Sequence, residues 1–276
     1  MNISEGRDRH RIDAIAAAAR PAVLDVHADP DHHRSVVTLA AREAAVTEAA
    51  TRRLAEVTLE DLDLREHAGV HPRLGVLDVV PFVALTPTPA DVAVAAAHAF
   101  GDWLARVHRV PVFFYGAAAP DGRSLPTVRR DAFQALTPDR GPRVADPRVG
   151  ATAVGARPPL IAINVELATP DLAAAQLIAR ETRERDGGLL GVRTLGLPLE
   201  SRGTVQVSMN LVDLPTTGVE RACTEVRDRA RLRGIDVVRV ELVGLLTAAE
   251  LARCSTAFRA WSGLDEADTI EGRIRA

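Results

Sequence analysis

The stretch LIAINVEL, residues 160–167, alternates apolar and polar side chains along most of its length. Such alternation predicts a β-strand with one buried face. The elements predicted after it, in order, are a helix over 169–188, strands over 192–200 and 204–213, a helix over 219–234 and a strand over 235–245. The second helix has apolar residues at helical spacing from Val219 to Ala230, and Gly234 lies where a C-terminal glycine is expected. The second half of the chain therefore has the element order β-α-β-β-α-β.

The first half of the chain repeats this order less clearly. It has predicted strands over 1–4, 22–27, 34–40 and 75–85 and predicted helices over 8–20 and 42–57, followed by an added helix over 90–108 and a strand over 110–116. Residues 137–159 are rich in glycine, proline and arginine and show no sustained period, which predicts a boundary there. The predicted fold class is α/β, of the α+β type. It consists of two ferredoxin-like βαββαβ subdomains, residues 1–157 and 158–276, with a ligand groove between their sheets.

The composition excludes several classes of protein. The chain has no lysine, so all 34 residues counted as lysine or arginine are arginines, which excludes Schiff-base catalysis and a P-loop lysine. The net charge of −3 and the lack of a long basic run give no support to a nucleic-acid or membrane-surface partner. No apolar run approaches the roughly 20 residues of a membrane span, and the N-terminus is polar. We therefore expect a cytoplasmic protein.

Cysteine and histidine usage narrows the chemistry further. Cys223 and Cys254 are the only cysteines, which argues against a disulfide scaffold and a structural zinc site. All eight histidines lie between His10 and His108. If histidine performs acid–base work in this protein, the first half of the chain supplies it.

Polar residues share one face of the predicted second sheet. The first and third strands of a βαββαβ unit are neighbours, so their polar positions form a common patch. These positions are Asn164 and Glu166 on one strand and Gln206, Ser208 and Asn210 on the other. The patch is interpreted either as a solvated sheet face or, because it is rich in neutral amides, as the wall of a ligand groove.

The stretch GVHPRLGVLDVVPFV, residues 69–83, places a histidine directly before a proline. The ring of Pro72 disfavours the helical region for the preceding residue, so His71 is expected to be extended at a junction between a loop and a strand. Such a histidine either ties down a turn or presents a titratable ring to a site.

The part HPRLGVLDVVPF, residues 71–82, resembles a signature of the glutamate formiminotransferase family. Further matches follow in family order: NISEGRD at 2–8, FYG at 114–116, PDRGP at 138–142, GATAVGAR at 150–157, IAINVEL at 161–167, VQVSMNL at 205–211 and ELVGL at 241–245. The resemblance covers nearly the whole chain. It implies the transfer of a formimino group from N-formimino-L-glutamate to N5 of tetrahydrofolate, a co-substrate, with no metal.

The resemblance also implies roles for individual residues. His71 matches the family's catalytic histidine, which would act as a general acid and base. Arg34 and Arg73 match family arginines that could bind substrate carboxylates, although for Arg73 a structural salt bridge, for example with Asp78, is an equal alternative. The folate-contacting loop would comprise Gly141, Pro142, Arg143, Val144, Ala145, Asp146, Pro147, Arg148, Val149 and Gly150. Asn164, Gln206 and Asn210 would add polar contacts from the second sheet.

The family resemblance implies a homodimer and small-molecule substrates. The chain is too short for the cyclodeaminase domain that bifunctional relatives append, so a separate cyclodeaminase would be needed.

His27, His33 and Ala117 stand where the family usually has an acidic residue, an asparagine and a glutamate. These departures favour an alternative, a diverged or catalytically silent folate-binding paralogue. A further alternative is a metal site in HADPDHH, residues 27–33, although no second ligand cluster follows it.

Overall fold

The computed structural model describes residues 1–67 and 73–275. The chain divides into two compact units, residues 1–158 and 159–276. Each unit is built of helices packed on a sheet, which confirms the predicted α+β class with two subdomains. Within the described residues no helix is long and apolar enough to cross a membrane.

The first unit contains the expected βαββαβ order with an extension. Its elements are β1 (Asn2–Ile3), α1 (Arg9–Ala18), β2 (Val23–Asp29), β3 (Arg34–Leu39), α2 (Ala44–Asp61), β4 (Leu77–Phe82), α3 (Ala90–Val107), β5 (Val112–Gly116), α4 (Leu125–Asp131) and β6 (Thr152–Ala156). The strand order is β2-β3-β1-β4-β6-β5. The first four strands have the ferredoxin-like arrangement, and β4, β6 and β5 continue the sheet as parallel neighbours.

Strand β6 was not predicted, because the sequence suggested an irregular segment over 137–159. The strand consists of small residues, TAVGA, and so lacks the bulky alternating side chains by which a buried strand is recognised. Its small residues have a packing reason. The ring of Tyr115, on the neighbouring strand, lies so close to Gly155 that a Cβ atom there would come within 2.4 Å of it.

The two faces of the first sheet differ. One face, with Ile3, Val37 and Val80, belongs to the main core, to which α1, α2 and α3 contribute. The opposite face has a smaller apolar cluster, in which Val79 and Phe113 pack with Val128 of α4. At the β2–β3 end of that face the paired residues include Asp29 and Arg34, so this end is polar.

The second unit follows the prediction closely. Its elements are β7 (Ile161–Leu167), α5 (Leu172–Thr182), β8 (Val192–Leu199), β9 (Thr204–Leu211), α6 (Val219–Arg231), β10 (Val237–Val243), α7 (Ala248–Arg253), α8 (Thr256–Ser262) and α9 (Ile270–Arg275). The antiparallel order β10-β7-β9-β8 is that of a ferredoxin-like sheet. The C-terminal helices were not predicted. One of them has a clear structural role, since Glu250 of α7 accepts a hydrogen bond from the Val219 N–H at the start of α6 (2.8 Å).

Candidate active site

The HPR motif lies only partly within the described residues. His71 and Pro72 fall in the undescribed segment 68–72, so the role predicted for His71 stays a prediction. The residues that flank this segment are described. Arg73, on the C-terminal side, contacts the ring of His67, on the N-terminal side, through its guanidinium Nη1. The two ends of the segment are therefore close together.

The N-terminal flank is held by a pair of imidazoles. Nε2 of His67 donates a hydrogen bond to the backbone carbonyl of His33 (2.8 Å), and the two rings lie with centroids 4.1 Å apart and planes tilted by 30°. Nδ1 of His33 accepts a hydrogen bond from the Gly6 N–H (3.1 Å) and lies 3.4 Å from Oε1 of Glu5. His33 has a φ of +50°, a left-handed conformation that is uncommon for a residue with a side chain. The loop before α1 thus fixes the orientation of the His33 ring.

The environment of these imidazoles favours their neutral forms. Burial lowers the pKa of His33 below its ordinary value, and the neighbouring His67 lowers it further, against the opposing charge of Glu5. Burial also lowers the pKa of His67, and the positive charge of Arg73 adds to this effect, although the hydrogen bond to the His33 carbonyl opposes it. Near pH 7 both rings are therefore uncharged and do not repel nearby arginines.

The C-terminal flank is held by a buried carboxylate. Oδ1 of Asp78 accepts a hydrogen bond from the Leu74 N–H (2.7 Å), and Oδ2 accepts one from Nη2 of Arg129 (2.5 Å). Asp78 is only 3% exposed. In addition, the Ser4 hydroxyl donates to the carbonyl of Gly75 (2.8 Å). Asp78 thus forms a salt bridge with Arg129, from α4, and its charge also raises the pKa of Arg73, the partner considered from the sequence.

The predicted folate loop, residues 141–150, runs beside both flanks. The Leu64 N–H donates to the carbonyl of Arg148 (2.7 Å), and the Val76 N–H donates to the carbonyl of Val149 (3.0 Å). The loop residues Gly141, Arg143, Val144, Asp146 and Pro147 are exposed, whereas Val149 and Gly150 are buried. The middle of the loop is exposed, and its buried end is hydrogen-bonded to Val76, close to Arg73.

Gly150 is required by the fold. Its φ is +72°, and a Cβ atom at this position would lie 2.3 Å from the carbonyl oxygen of Leu74 and 2.6 Å from Cα of Gly75. A larger residue would therefore displace the chain that follows Arg73. Substitution of Gly150 would disturb the flank of the HPR motif together with any folate contact.

Arg34 lies at the polar end of the first sheet, opposite Asp29 in the β2–β3 register. Burial lowers the pKa of Arg34 below its usual value, and the charge of Asp29 opposes this. Burial raises the pKa of Asp29, but hydrogen bonds from the ring and backbone of His32 outweigh it and lower the pKa to about 2. Arg73, Arg129 and Asp78 also act on the charge of Arg34. The structure thus brings Arg34 into one charged cluster with the flank that carries Arg73.

The residues of HADPDHH contact different partners. Asp29 binds His32, whereas His33 points to Gly6 and Glu5. His27 lies opposite Val36 in the sheet. In the described part of the chain, no group of three or more histidine, cysteine, aspartate or glutamate residues converges as a metal site would require.

Asn164, Gln206 and Asn210 share one face of the second sheet, as predicted. Asn164 pairs with Ser208, and Glu166 pairs with Gln206, in the β7–β9 register. The face also carries charges from β10. Nδ2 of Asn164 donates to Glu241 (3.0 Å), and Glu166 binds Arg202 (3.0 Å) and Arg239 (2.8 Å).

Gln206 differs from its neighbours. Its side chain is 1% exposed, and its Nε2 has no hydrogen-bond partner among the described residues. Buried amide donors are nearly always paired in folded proteins, and an unpaired one costs free energy. Asn210, by contrast, is exposed. On this face, Gln206 is the amide with a buried donor left over.

Some residues of the site have no motif of their own. Glu5 lies in the matched stretch 2–8 but was not singled out, and His67 precedes the HPR motif by four residues. Arg129 lies on a short helix that the sequence did not predict. Of these, only His67 could have been singled out from the sequence, because it lies four residues before His71.

Comparison with known proteins covers both units. A family model of the formiminotransferase domain, N-terminal subdomain, matches residues 1–157, and a model of the formiminotransferase domain matches residues 162–270. A glutamate formimidoyltransferase of Thermoplasma acidophilum is 36% identical over 99% of this chain and 95% of its own. A glutamate formimidoyltransferase of Streptococcus pyogenes serotype M1 is 35% identical over 91% of this chain and 88% of its own. A formimidoyltransferase-cyclodeaminase of Rattus norvegicus is 37% identical over 89% of this chain but only 49% of its own. Both halves of this chain thus match the same family, and the chain belongs to the formiminotransferases.

Proposed function

We propose that this chain is a folate-dependent transferase that moves a formimino group from N-formimino-L-glutamate to N5 of tetrahydrofolate. The observation that carries the proposal is the match of both units to formiminotransferase domains, with relatives of almost the same length named glutamate formimidoyltransferase. The polar clusters of the two units supply groups that suit such substrates.

The reaction needs proton transfers at two nitrogens. N5 of tetrahydrofolate attacks the formimino carbon, and a new C–N bond gives a tetrahedral intermediate. The bond from that carbon to the glutamate nitrogen then breaks. N5 loses one proton and the leaving nitrogen gains one, so the transfer is balanced and needs no oxidant and no metal. We assign this proton transfer to His71, since an imidazole both accepts and donates a proton near pH 7.

The arginines of the first unit suit the donor substrate. N-formimino-L-glutamate carries two carboxylates, and a guanidinium binds a carboxylate through two parallel hydrogen bonds. We assign this binding to Arg34 and Arg73. Their support is the charged cluster that joins both residues with Asp29, Asp78 and Arg129.

The folate contacts are assigned to both units. In the first unit they come from the loop over 141–150, whose exposed part is free to lie along a flat ring system. In the second unit they come from Asn164, Gln206 and Asn210. Gln206 has the strongest support, because its buried Nε2 lacks a partner that a carbonyl or ring nitrogen of a ligand would supply.

The test is an assay of the purified chain with formiminoglutamate and tetrahydrofolate, followed by absorbance. Formation of the formimino-folate product supports the proposal. Folate binding without turnover would instead support the catalytically silent paralogue. Absence of both activity and folate binding at millimolar concentration would exclude both interpretations.

The oligomeric state and the cellular location are part of the same proposal. The chain would act in the cytoplasm as a homodimer on small molecules. Light scattering of the purified chain tests the dimer. A monomer with full activity would show that pairing is not needed for the reaction.

A further inference from the structure

The ion pair between Asp78 and Arg129 lies beside the chain that follows Arg73. The carboxylate lies at the start of β4, nearly fully buried, and one of its oxygens is directed at the backbone of Leu74. Leu74 directly follows Arg73 in the HPR motif.

Burying a carboxylate is costly unless its charge is compensated and its lone pairs are satisfied. Arg129 provides the charge, with Nη1 at 3.3 Å from Oδ1 and Nη2 at 2.5 Å from Oδ2. The helix that carries Arg129 is fixed in turn, because Val128 is fully buried against the first sheet. Helix α4 thus holds a guanidinium at a defined position against Asp78.

The pair also acts on the arginines of the charged cluster. Burial lowers the pKa of Arg73, the charge of Asp78 raises it, and the charge of Arg129 lowers it again. The charges of Asp78 and Arg129 likewise act on Arg34 in opposite directions. The two charges of the pair thus act in opposite directions on the pKa of both Arg34 and Arg73.

We infer that Asp78 and Arg129 are positioning residues for the transfer reaction: Asp78 holds the Leu74 N–H and thereby the backbone that directly follows Arg73, and Arg129 keeps the carboxylate charged and in place. The inference rests on the proposed function for its effect on turnover. Neither residue touches the reacting atoms in this scheme. They act through the placement of Arg73.

The experiment compares two substitutions of Asp78, so that the effect of its hydrogen bond to Leu74 is measured separately from the effect of its charge. Asp78→Ala removes both, whereas Asp78→Asn keeps an oxygen that accepts from the Leu74 N–H. We expect Asp78→Ala to lower kcat about 10–100-fold, as misplacement of a reacting group does, with KM for tetrahydrofolate within threefold of wild type. We expect Asp78→Asn to recover most of this loss.

A second ion pair in the same unit provides the control. Asp139 accepts a hydrogen bond from the Phe114 N–H (2.7 Å) and binds Arg123, so it has the same chemistry away from the HPR motif. Arg129→Met and Arg123→Met are compared at matched loss of Tm. We expect a fall in kcat only for Arg129→Met. Equal kcat in the two variants, or Asp78→Ala with kcat within threefold of wild type, would overturn the inference.

Two further measurements keep the test decisive. If Asp78→Ala does not fold, the comparison of Arg129→Met with Arg123→Met decides the outcome. If the wild-type chain has no transferase activity, the proposed function fails, and amide hydrogen exchange at Leu74 then tests the anchor alone. Faster exchange at Leu74 in Asp78→Ala than in Asp78→Asn supports the anchor, and equal exchange in the two variants overturns it.

Discussion

The polar faces of the two sheets carry different kinds of groups. In the first unit, the guanidiniums of Arg34, Arg73 and Arg129 share a cluster with the carboxylates of Asp29 and Asp78. In the second unit, two glutamates bind two arginines, and Gln206 has a buried neutral amide whose donor has no partner among the described residues. The same βαββαβ order thus carries an arginine-rich cluster in one unit and a buried neutral hydrogen-bond donor in the other.

This difference suggests that the two units bind different substrates. The unit with all the histidines and the arginine-rich cluster suits a dicarboxylate donor and proton transfer. The unit with a satisfied ion-pair network and one unpaired amide suits the polar edge of an uncharged ring. If the division is correct, substitutions in the first unit change turnover and donor binding, and those in the second unit change folate binding.

The largest effect is expected for His71→Ala. Loss of a positioned general acid or base lowers turnover by about 10²–10⁴. Folate affinity should change much less, because the loop over 141–150 and the second sheet keep their groups. Steady-state kinetics and calorimetry measure the two quantities, with the exposed His10→Ala as control. A normally folded variant with more than about a third of wild-type turnover would contradict general acid–base catalysis by His71.

The next effect concerns donor binding by the first unit. Arg34→Gln removes a guanidinium that would bind a substrate carboxylate, an interaction of about 1.5–3 kcal/mol for charged groups. We expect KM for formiminoglutamate to rise about 10–100-fold, with KM for tetrahydrofolate little changed. Arg11→Gln, on the exposed side of α1, is the control. If the two KM values rose together, the anion-binding role of the first unit would be wrong.

A substitution at Gln206 tests the role of the second unit, because it should raise the stability of the free protein and lower its affinity for folate. Replacement by methionine removes an unpaired buried amide, whose burial costs about 1–3 kcal/mol, so the free protein should become more stable. For a chain of this size, Tm should rise by roughly 2–4 °C per kcal/mol. Folate affinity should fall about tenfold, since the amide would be paired only in the complex.

The exposed Gln176→Met, in α5 of the same unit, is the matched control. It replaces the same side chain where the amide is solvated, so neither Tm nor folate affinity should change appreciably. A loss of stability in Gln206→Met without loss of folate affinity would mean that the amide serves the fold and not a ligand.

The sequence predicted the elements whose apolar residues follow a simple period. It missed elements whose residues are determined by contacts with distant parts of the chain. Alternation in 161–167 and 204–211 placed Asn164 and Gln206 on a common face, and the register confirms it. Strand β6 was missed because its residues are small, and at Gly155 the reason is the ring of Tyr115 on another strand. The same limit applies within the site. No local pattern could show that Arg129 reaches Asp78, 51 positions away in the chain.

The smallest expected effect is a dependence of stability on pH that arises in the first unit, where all the histidines lie. The pKa of His33 is lowered in the folded chain, mainly by burial, so the unfolded chain takes up protons first as the pH falls below the ordinary histidine pKa of about 6.5. Stability contributed by the neutral ring is therefore complete above pH 6.5 and is lost as the pH decreases towards the folded-state pKa. His33→Asn removes this contribution, so its Tm should fall less than that of wild type between pH 7.5 and 5.5, by about 1–2 °C. Thermal unfolding at both pH values measures the difference, with His10→Asn as control. A Tm decrease in His33→Asn as large as that of wild type would show that the buried His33 ring does not resist protonation, and the electrostatic contrast between the two units would then rest on the arginines alone.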